Sequence, residues 1–384
     1  MIRRKGECLI SCEIDNRHIR RAIELARRGE GLVEPNPMVG CVIAIGDRVI
    51  AEGYHHEYGH SHAEVDAIQN LPNDADLSAA TIYVTLEPCC HTGKTPPCTE
   101  AILRAGIGRV VIAIEDPFPK VAGKGIAQLR KAGLDVVVGS GHDEGLTKSA
   151  EDILSPYIKL LRTGRPWVIA KWAMTLDGKI ATSTGDSQWI SSASSRAIVH
   201  QLRGRVDAVI VGSRTALADN PTLTARPTGP RQAARIVFDS TASLATLLPG
   251  CELAKTIDAG PVLIAASSSA AEQRVEQLEK VGIEVLRLDG ASHTDRLDQL
   301  LLELGNRRMT NVLVEGGGGL LGALMDAKQI DEVHAFIAAK IIGGENTPSP
   351  IAGVGRTNMA NALQLQDVRF EQVEQDIYLH GRTE

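Results

Sequence analysis

No apolar run in this chain approaches the roughly 20 residues that a membrane-spanning helix needs, so no such span is expected. A basic surplus is missing too: 41 Lys and Arg stand against 47 Asp and Glu, for a net charge of −6. That balance argues against a non-specific binder of nucleic acid, which works through a basic surface. Cysteines are few and odd in number, seven in all, with three crowded into Cys89, Cys90 and Cys98. A disulfide framework wants paired cysteines in an exported chain, whereas this cluster fits metal ligation, and the expected setting is the cytoplasm. Arg3, Arg4 and Lys5 precede an apolar stretch, CLISC, that is too short for a signal-peptide core. Residues 1–13 are read as a disordered leader. Internal repeats, low-complexity tracts and a G-x-G-x-x-G fingerprint are also lacking.

What remains is the composition of a soluble globular protein, 43% hydrophobic and 23% charged, in 384 residues. That length exceeds one ordinary core, so two domains are expected.

The richest stretch runs from His62 to Cys98, reading HAEVDAI and, after an interval, TLEPCCHTGKTPPC. His62, Cys89 and Cys98 are candidate zinc ligands, and Glu64 is the candidate acid/base residue. The order H-x-E … P-C … C is that of zinc-dependent deaminases of nitrogen heterocycles. Zinc takes imidazole and thiolate tetrahedrally, and a catalytic site leaves its fourth position to a water whose proton becomes labile near neutral pH. The carboxylate must sit close by without ligating, free to move that proton. A structural zinc site would be closed by a fourth protein ligand, for which Cys90 and His91 are at hand. The more compact P-C-x-x-C would place the third ligand at Thr92, which cannot serve. Here eight residues separate Cys89 from Cys98.

Around this stretch the pattern predicts a helix capped by Asp15, with Ile19, Ala22, Ile23 and Ala26 on one face. A β-hairpin turning at Gly46-Asp47 should follow, then a short helix opened by His62 with Val65 and Ile68 inward. TIYVTLE and RVVIAIED read as strands, Cys98 as a helix start, and GIAQLRKA as a helix before a last strand, LDVVVG. These elements make a three-layer α/β/α domain with a mixed sheet. His62 and Cys98 would sit at helix N-termini, where the dipole favours thiolate over thiol. His55, His56 and His60 are read as a solvated loop cluster.

A helical linker with Leu154, Ile158 and Leu161 as its stripe leads to a boundary near Gly164. Beyond it, strands alternate with helices, giving an α/β domain with a mostly parallel sheet. SRTALADNPTLTAR reads as irregular. The glycine loop Gly316–Gly319, between strand and helix, could expose N–H groups to a pyrophosphate or simply make a tight turn. Arg203 and Arg205 are by themselves ordinary helix-end charges. Lys171, inside an apolar strand, is costly to bury unless it is paired or working.

PNPMVGCVI, EGYH, HAEV, YVTLEPC, H-x-G-K-TPPC and EDPFPKVAGKG resemble the deaminase half of the bifunctional riboflavin-biosynthesis enzymes, which join a diaminohydroxyphosphoribosylaminopyrimidine deaminase to a 5-amino-6-(5-phosphoribosylamino)uracil reductase. KWAMTLDGKIAT, GDSQWIS, LADNPTLTAR, IVFDS and VEGG resemble the reductase half. The resemblance implies a cytidine-deaminase-like domain over residues 14–160 and a dihydrofolate-reductase-like domain over 165–384, with one zinc ion and NADPH. It implies that Asn36 and Lys94 hold a phosphorylated pyrimidine substrate in the first half. In the second half it assigns Ala173, Trp189, Thr215, Asp219, Ser240 and Gly317, Gly318, Gly319, Leu320, Leu321, Gly322 and Ala323 to the nucleotide. Ser187, Arg203, Leu223, Arg226 and Glu315 fall to the substrate, with Lys171 and Glu315 in proton handling. Self-association is also implied; nucleic-acid or membrane partners are not. Cys90 departs from the family, which usually has serine there, and Ala173 stands where glycine is common. Two rival readings stay open: another nucleoside or nucleobase deaminase fused to an unrelated nucleotide-binding domain, and a zinc-stabilised module attached to a nucleotide sensor.

Overall fold

The computed structural model describes residues 5–73, 76–92, 96–139 and 143–383, with side chains from residue 12. The chain divides into two compact units, Met1–Thr163 and Gly164–Glu384.

The first unit begins with helix α1, Lys5–Ala26, followed by strands β1, Gly40–Ile45, and β2, Arg48–Tyr54. Next come α2, Ala63–Gln69, β3, Thr81–Leu86, α3, Cys98–Ala105, and β4, Arg109–Ile114. It ends with α4, Lys124–Lys131, β5, Asp135–Val138, and α5, Glu144–Thr163. The sheet order is β2-β1-β3-β4-β5, with β1 antiparallel to both its neighbours and β3, β4 and β5 parallel. Period-two alternation along the strands sends side chains to both faces. Val42, Ala44, Tyr83 and Val111 pack with Ile19, Ile23, Ala150 and Leu154 of α1 and α5. Cys41, Ile43, Val84 and Ile112 pack with Ala63, Ala67, Ile102, Ile126 and Leu129 of α2, α3 and α4. The mixed sheet thus lies between two helical layers, the cytidine-deaminase-like architecture.

Three expectations need correction here. The helix does not start at Asp15: it already runs from Lys5, through the stretch read as a leader. Asp15 lies inside it and accepts hydrogen bonds from Tyr83 Oη at 3.0 Å and from both terminal nitrogens of Arg109 at 2.8 and 2.7 Å. A side chain read locally as a cap is drawn away by a half-buried guanidinium. In α2 the inward residues are Ala63, Glu64 and Ala67, while Val65 and Ile68 are only partly buried. The cause is close approach: a Cβ on Gly53 of β2 would lie 2.3 Å from Ala67 N and 2.6 Å from the Ala63 carbonyl. Small residues let helix and strand touch backbone to backbone. Finally, α5 is no free linker, since Leu146, Ala150, Ile153 and Leu154 bury against α1 and the sheet.

The second unit runs β6, Trp167–Thr175, α6, Ala193–Arg203, β7, Ala208–Gly212, α7, Ser213–Asp219, and β8, Ala234–Phe238. Then follow α8, Glu252–Lys255, β9, Val262–Ser267, α9, Glu272–Lys280, β10, Glu284–Leu288, and α10, His293–Asn306. It closes with β11, Asn311–Glu315, α11, Gly318–Asp326, β12, Glu332–Ala338, β13, Gln366–Val373, and β14, Asp376–Arg382. Nine strands form one sheet in the order β10-β9-β8-β7-β11-β6-β12-β14-β13, parallel from β10 through β12 and antiparallel beyond. One face is covered by α10 and α11, the other by α6, α7, α8 and α9. The stretch read as irregular contains α7, and β13 is a strand that is nearly all exposed, Val368 and Phe370 included.

This topology creates a crevice. From β7 the chain passes through α7 to β8 on one side, and from the adjacent β11 it passes through α11 to β12 on the other. Neighbouring parallel strands whose exits diverge leave a gap beyond their C-terminal ends, where open α/β sheets bind ligands.

Candidate active sites

In the first unit, His62 is the N-cap of α2, Cys98 opens α3, and Cys89 follows the end of β3. Packing of α2 and α3 on the same sheet face brings their N-termini together, at the corner made by Pro88. His62 Nδ1 lies 3.5 Å from Cys89 Sγ and 3.3 Å from Cys98 Sγ, and all three ligand atoms fall within 4.8 Å of one another. Nitrogen and sulfur ligands of one tetrahedral zinc, at about 2.0 and 2.3 Å from the ion, would be about 3.6 Å apart. The donor set and its spacing therefore fit zinc. The thiol of Cys89, not that of Cys90, belongs to this group.

Glu64 sits in the first turn of α2, 3% exposed. Burial, aided by the Cys89 charge, pushes its carboxyl up to about 7. Cys89 is held down to about 4, first by the hydrogen bond with the Cys98 thiol, with His62 adding to it. Glu87, which sequence reasoning passed over, is buried and accepts from the backbone N–H of Asp116 at 3.2 Å, Gly123 at 2.9 Å and Ile126 at 3.1 Å. It ties the DPFPKVAGKG loop to the corner that carries Cys89. His55 is not the solvated residue expected: it is 3% exposed, with both ring nitrogens engaged, one of them by Asn36. Burial lowers its pKa and so favours the neutral ring. Lys94 lies outside the described residues.

In the second unit, the parallel register places Lys171 of β6 beside Glu315 of β11. Both face α6. Arg203, at the last turn of that helix, donates Nε to Glu315 Oε1 at 2.5 Å and Nη2 to Oε2 at 2.8 Å. Lys171 Nζ lies 3.8 Å from Glu315 Oε2. The forked geometry makes the Arg203 bond the strong one. Burial would raise the Glu315 carboxyl, but the two cations, Arg203 foremost, hold it down at about 2. Burial lowers the Lys171 ammonium, against the pull of Glu315. Lys171 is thus paired, at ion-pair distance from Glu315. A further residue missed in the sequence is His200, one turn before Arg203. Its Nδ1 and Arg203 Nη1 both donate to the Thr224 carbonyl, each at 3.2 Å, tethering the segment that carries Leu223 and Arg226. Nothing in the primary order of HQLR foretold that contact, because Thr224 comes from a separate loop.

The residues assigned to a nucleotide gather beyond the C-terminal ends of four adjacent strands. Ala173 is near the end of β6, Thr215 and Asp219 lie on α7 after β7, Ser240 follows β8, and Gly317 to Ala323 begin α11 after β11. The glycines divide by task. Gly316 and Gly317 have φ of 68° and 83°, a conformation open to glycine. Gly318 and Gly322 serve packing, since a Cβ there would come within 2.7 Å of the Ser349 carbonyl and 2.3 Å of the Ala352 carbonyl. Ser187 and Trp189 lie in the loop after β6, where Trp189 is 62% exposed under the Arg196 guanidinium at 4.3 Å. Among the described residues, no helix is long and apolar enough to cross a membrane.

Comparison with known proteins agrees with both halves. Residues 12–114 match the cytidine and deoxycytidylate deaminase zinc-binding region, and residues 166–379 match the RibD C-terminal domain. The chain is 42% identical to the riboflavin biosynthesis protein RibD of Actinobacillus pleuropneumoniae over 94% of its own length and 93% of that protein's. It is 40% identical to the RibD of Bacillus amyloliquefaciens over 94% of each. The crystal structure of a diaminohydroxyphosphoribosylaminopyrimidine deaminase/5-amino-6-(5-phosphoribosylamino)uracil reductase from Thermotoga maritima superposes with a TM-score of 0.82, at 32% identity, covering 97% of this chain and 99% of that one. With a zinc-ligand group in one unit, a cation-bound carboxylate in the other and relatives alike over nearly the whole length, this chain belongs to the RibD family of riboflavin biosynthesis proteins.

Proposed function

We propose that the two units catalyse successive steps of riboflavin biosynthesis on one pyrimidine sugar phosphate. The first hydrolyses the 2-amino group of 2,5-diamino-6-(ribosylamino)pyrimidin-4-one 5′-phosphate. The second uses NADPH to reduce the ribosyl group of 5-amino-6-(5-phosphoribosylamino)uracil to ribityl. The observation that carries the reading is the convergence of His62, Cys89 and Cys98 beside the buried Glu64.

Zinc, when bound by those three residues, supplies an acidified water. Glu64, outside the ligand group, would carry two protons in turn: the first from the water to the ring nitrogen as the oxygen bonds the ring carbon, the second from the added hydroxyl to the departing amine as the C–N bond breaks; water enters and ammonia leaves. Asn36 holds the heterocycle. The assignment of Lys94 to the substrate phosphate rests on the resemblance, and a compact ammonium suits that partner.

NADPH supplies the hydride that goes to C1′ of the ribosyl group. As the sugar ring opens, its oxygen needs a proton, and Lys171 is the donor we assign, oriented by Glu315. The fork of Arg203 holds Glu315 and, with Ser187, Leu223 and Arg226, forms the substrate side. Ala173, Trp189, Thr215, Asp219, Ser240 and the segment 317–323 form the nucleotide side. The crevice at the diverging strands supports that placement, because α11 begins directly after β11 and its N-terminus has no side-chain cap. A cytoplasmic setting and self-association belong to the same reading. Cys41, Cys89, Cys90, Cys98 and Cys251 as thiols support a reducing compartment.

The test supplies purified protein with the diaminopyrimidine substrate and follows ammonia and NADPH separately. Glu64→Gln is expected to keep zinc and fold while ammonia release falls by about 10²–10⁴-fold. Retained release would remove Glu64 from its role.

A further inference from the structure

The loop between β6 and α6 carries an indole with a cation on one face. Trp189 is 62% exposed, and Arg196 Cζ stands 4.3 Å from its ring centroid. Both partners are held in place. Arg196, in the first turn of α6, donates Nη1 to the Ser191 carbonyl at 2.5 Å. Lys340, just beyond β12, donates Nζ to the Trp189 carbonyl at 2.6 Å. The buried Asp376 of β14 accepts from the Ser192 N–H at 2.7 Å. Three separate segments thus fix the pose of one short loop. The exposure of Trp189 leaves the face opposite Arg196 for a planar ring. Among the described residues, no carboxylate lies within ion-pair distance of Arg196 or Lys340, so two uncancelled positive charges stand beside this indole.

Hydride and proton must reach the same bond, between C1′ and the ring oxygen. Lys171, the assigned proton donor, lies two residues before Ala173 on β6, and Trp189 is on the loop that leaves this strand. The nicotinamide is therefore the end of the cofactor that belongs beside Trp189. Its ring is neutral in NADPH and becomes a pyridinium cation once the hydride has left. A bare indole face attracts a cation. Here the guanidinium already occupies the opposite face, so a second cation gains less and meets like-charge repulsion across the ring. We propose that Arg196 is a positioning residue that presents Trp189 to the neutral dihydronicotinamide and disfavours the pyridinium formed from it. The charge created by the reaction then helps to expel the spent cofactor. The inference rests on the NADPH reading of the second unit.

The experiment measures the Kd of NADPH and of NADP⁺ for the full chain by calorimetric titration, without pyrimidine substrate. The variants are Arg196→Gln, Arg196→Lys, Trp189→Ala and the double variant Arg196→Gln/Trp189→Ala. In Arg196→Gln the preference for NADPH over NADP⁺ is expected to shrink about 3–10-fold, chiefly through tighter NADP⁺. Arg196→Lys, which keeps the charge, should retain most of that preference. In the Trp189→Ala background Arg196→Gln should change the ratio little, because the ring it acts through is gone. Acrylamide quenching of the chain without nucleotide gives a readout independent of binding. The emission lost in Trp189→Ala belongs to Trp189, and Arg196→Gln should raise its quenching by uncovering the second face. An unchanged ratio in Arg196→Gln, a lysine variant no better than glutamine, equal shifts in the two backgrounds, or no rise in quenching overturns the proposal. If NADPH binds the unaltered chain and Trp189→Ala alters neither Kd, the proposal falls while the cofactor reading stands. If the unaltered chain binds no NADPH, the cofactor reading itself falls, and the proposal with it.

Discussion

Replacing Glu315 by Gln should destabilise the second unit by about 3 kcal/mol. The carboxylate is 6% exposed, clamped by Arg203 at 2.5 and 2.8 Å and approached by Lys171 at 3.8 Å. Its folded pKa is about 2, against about 4.3 for an unperturbed Glu, and each unit of difference corresponds to about 1.4 kcal/mol. The same size follows from the other direction: removing one partner of a buried ion pair typically costs about 3–5 kcal/mol, because the remaining cations lose their counter-charge. In a unit of this size, about 3 kcal/mol should lower the melting midpoint by roughly 6–12 °C. The pH dependence has a definite sign. A carboxylate depressed in the folded state contributes stability that is fully present above the unfolded pKa and is lost as pH falls through the folded one. The gap between the wild type and Glu315→Gln should therefore be full at pH 7, begin to close below about pH 4.5, and be gone near pH 2. Calorimetry of the whole chain suits the question, since the first unit's transition serves as an internal reference that should not move. Equal midpoints at pH 7, or a gap that does not shrink in acid, would refute the claim that the two cations hold this carboxylate charged.

The remaining predictions concern metal and cofactor. Cys89→Ser should lower zinc content while Cys90→Ser should keep it; loss from the second variant alone would reverse the ligand assignment, since the Cys89 sulfur is the one in the ligand group. NADPH at about 100 times its dissociation constant should stabilise the protein by about 2.7 kcal/mol, and NADH by much less. Equal shifts, or none, would count against the cofactor assignment.

The sequence alone carried much of the order of elements and pointed to the three candidate zinc ligands that the structure brings together. Both are local: His62 and Glu64 stand two apart on one helix start, and the strands announce themselves by period-two apolar alternation. It also flagged Lys171, because an ammonium in an apolar strand is conspicuous wherever that strand goes. Only the tertiary structure decided what Lys171 is paired with, since parallel register and helix packing bring Glu315 to Lys171 and Arg203 across more than a hundred residues of chain. The same holds for Asp15, which read as a cap until Arg109 claimed it, and for His55, indistinguishable from His56 and His60 until burial separated them. The glycine loop shows the division within four residues. Four consecutive glycines could be read off the chain, but that Gly316 and Gly317 serve positive φ while Gly318 serves close backbone contact depended on what packs against them. Local spacing determines which groups can act; close packing and hydrogen-bond geometry between distant segments determine which way they face and what charge they keep.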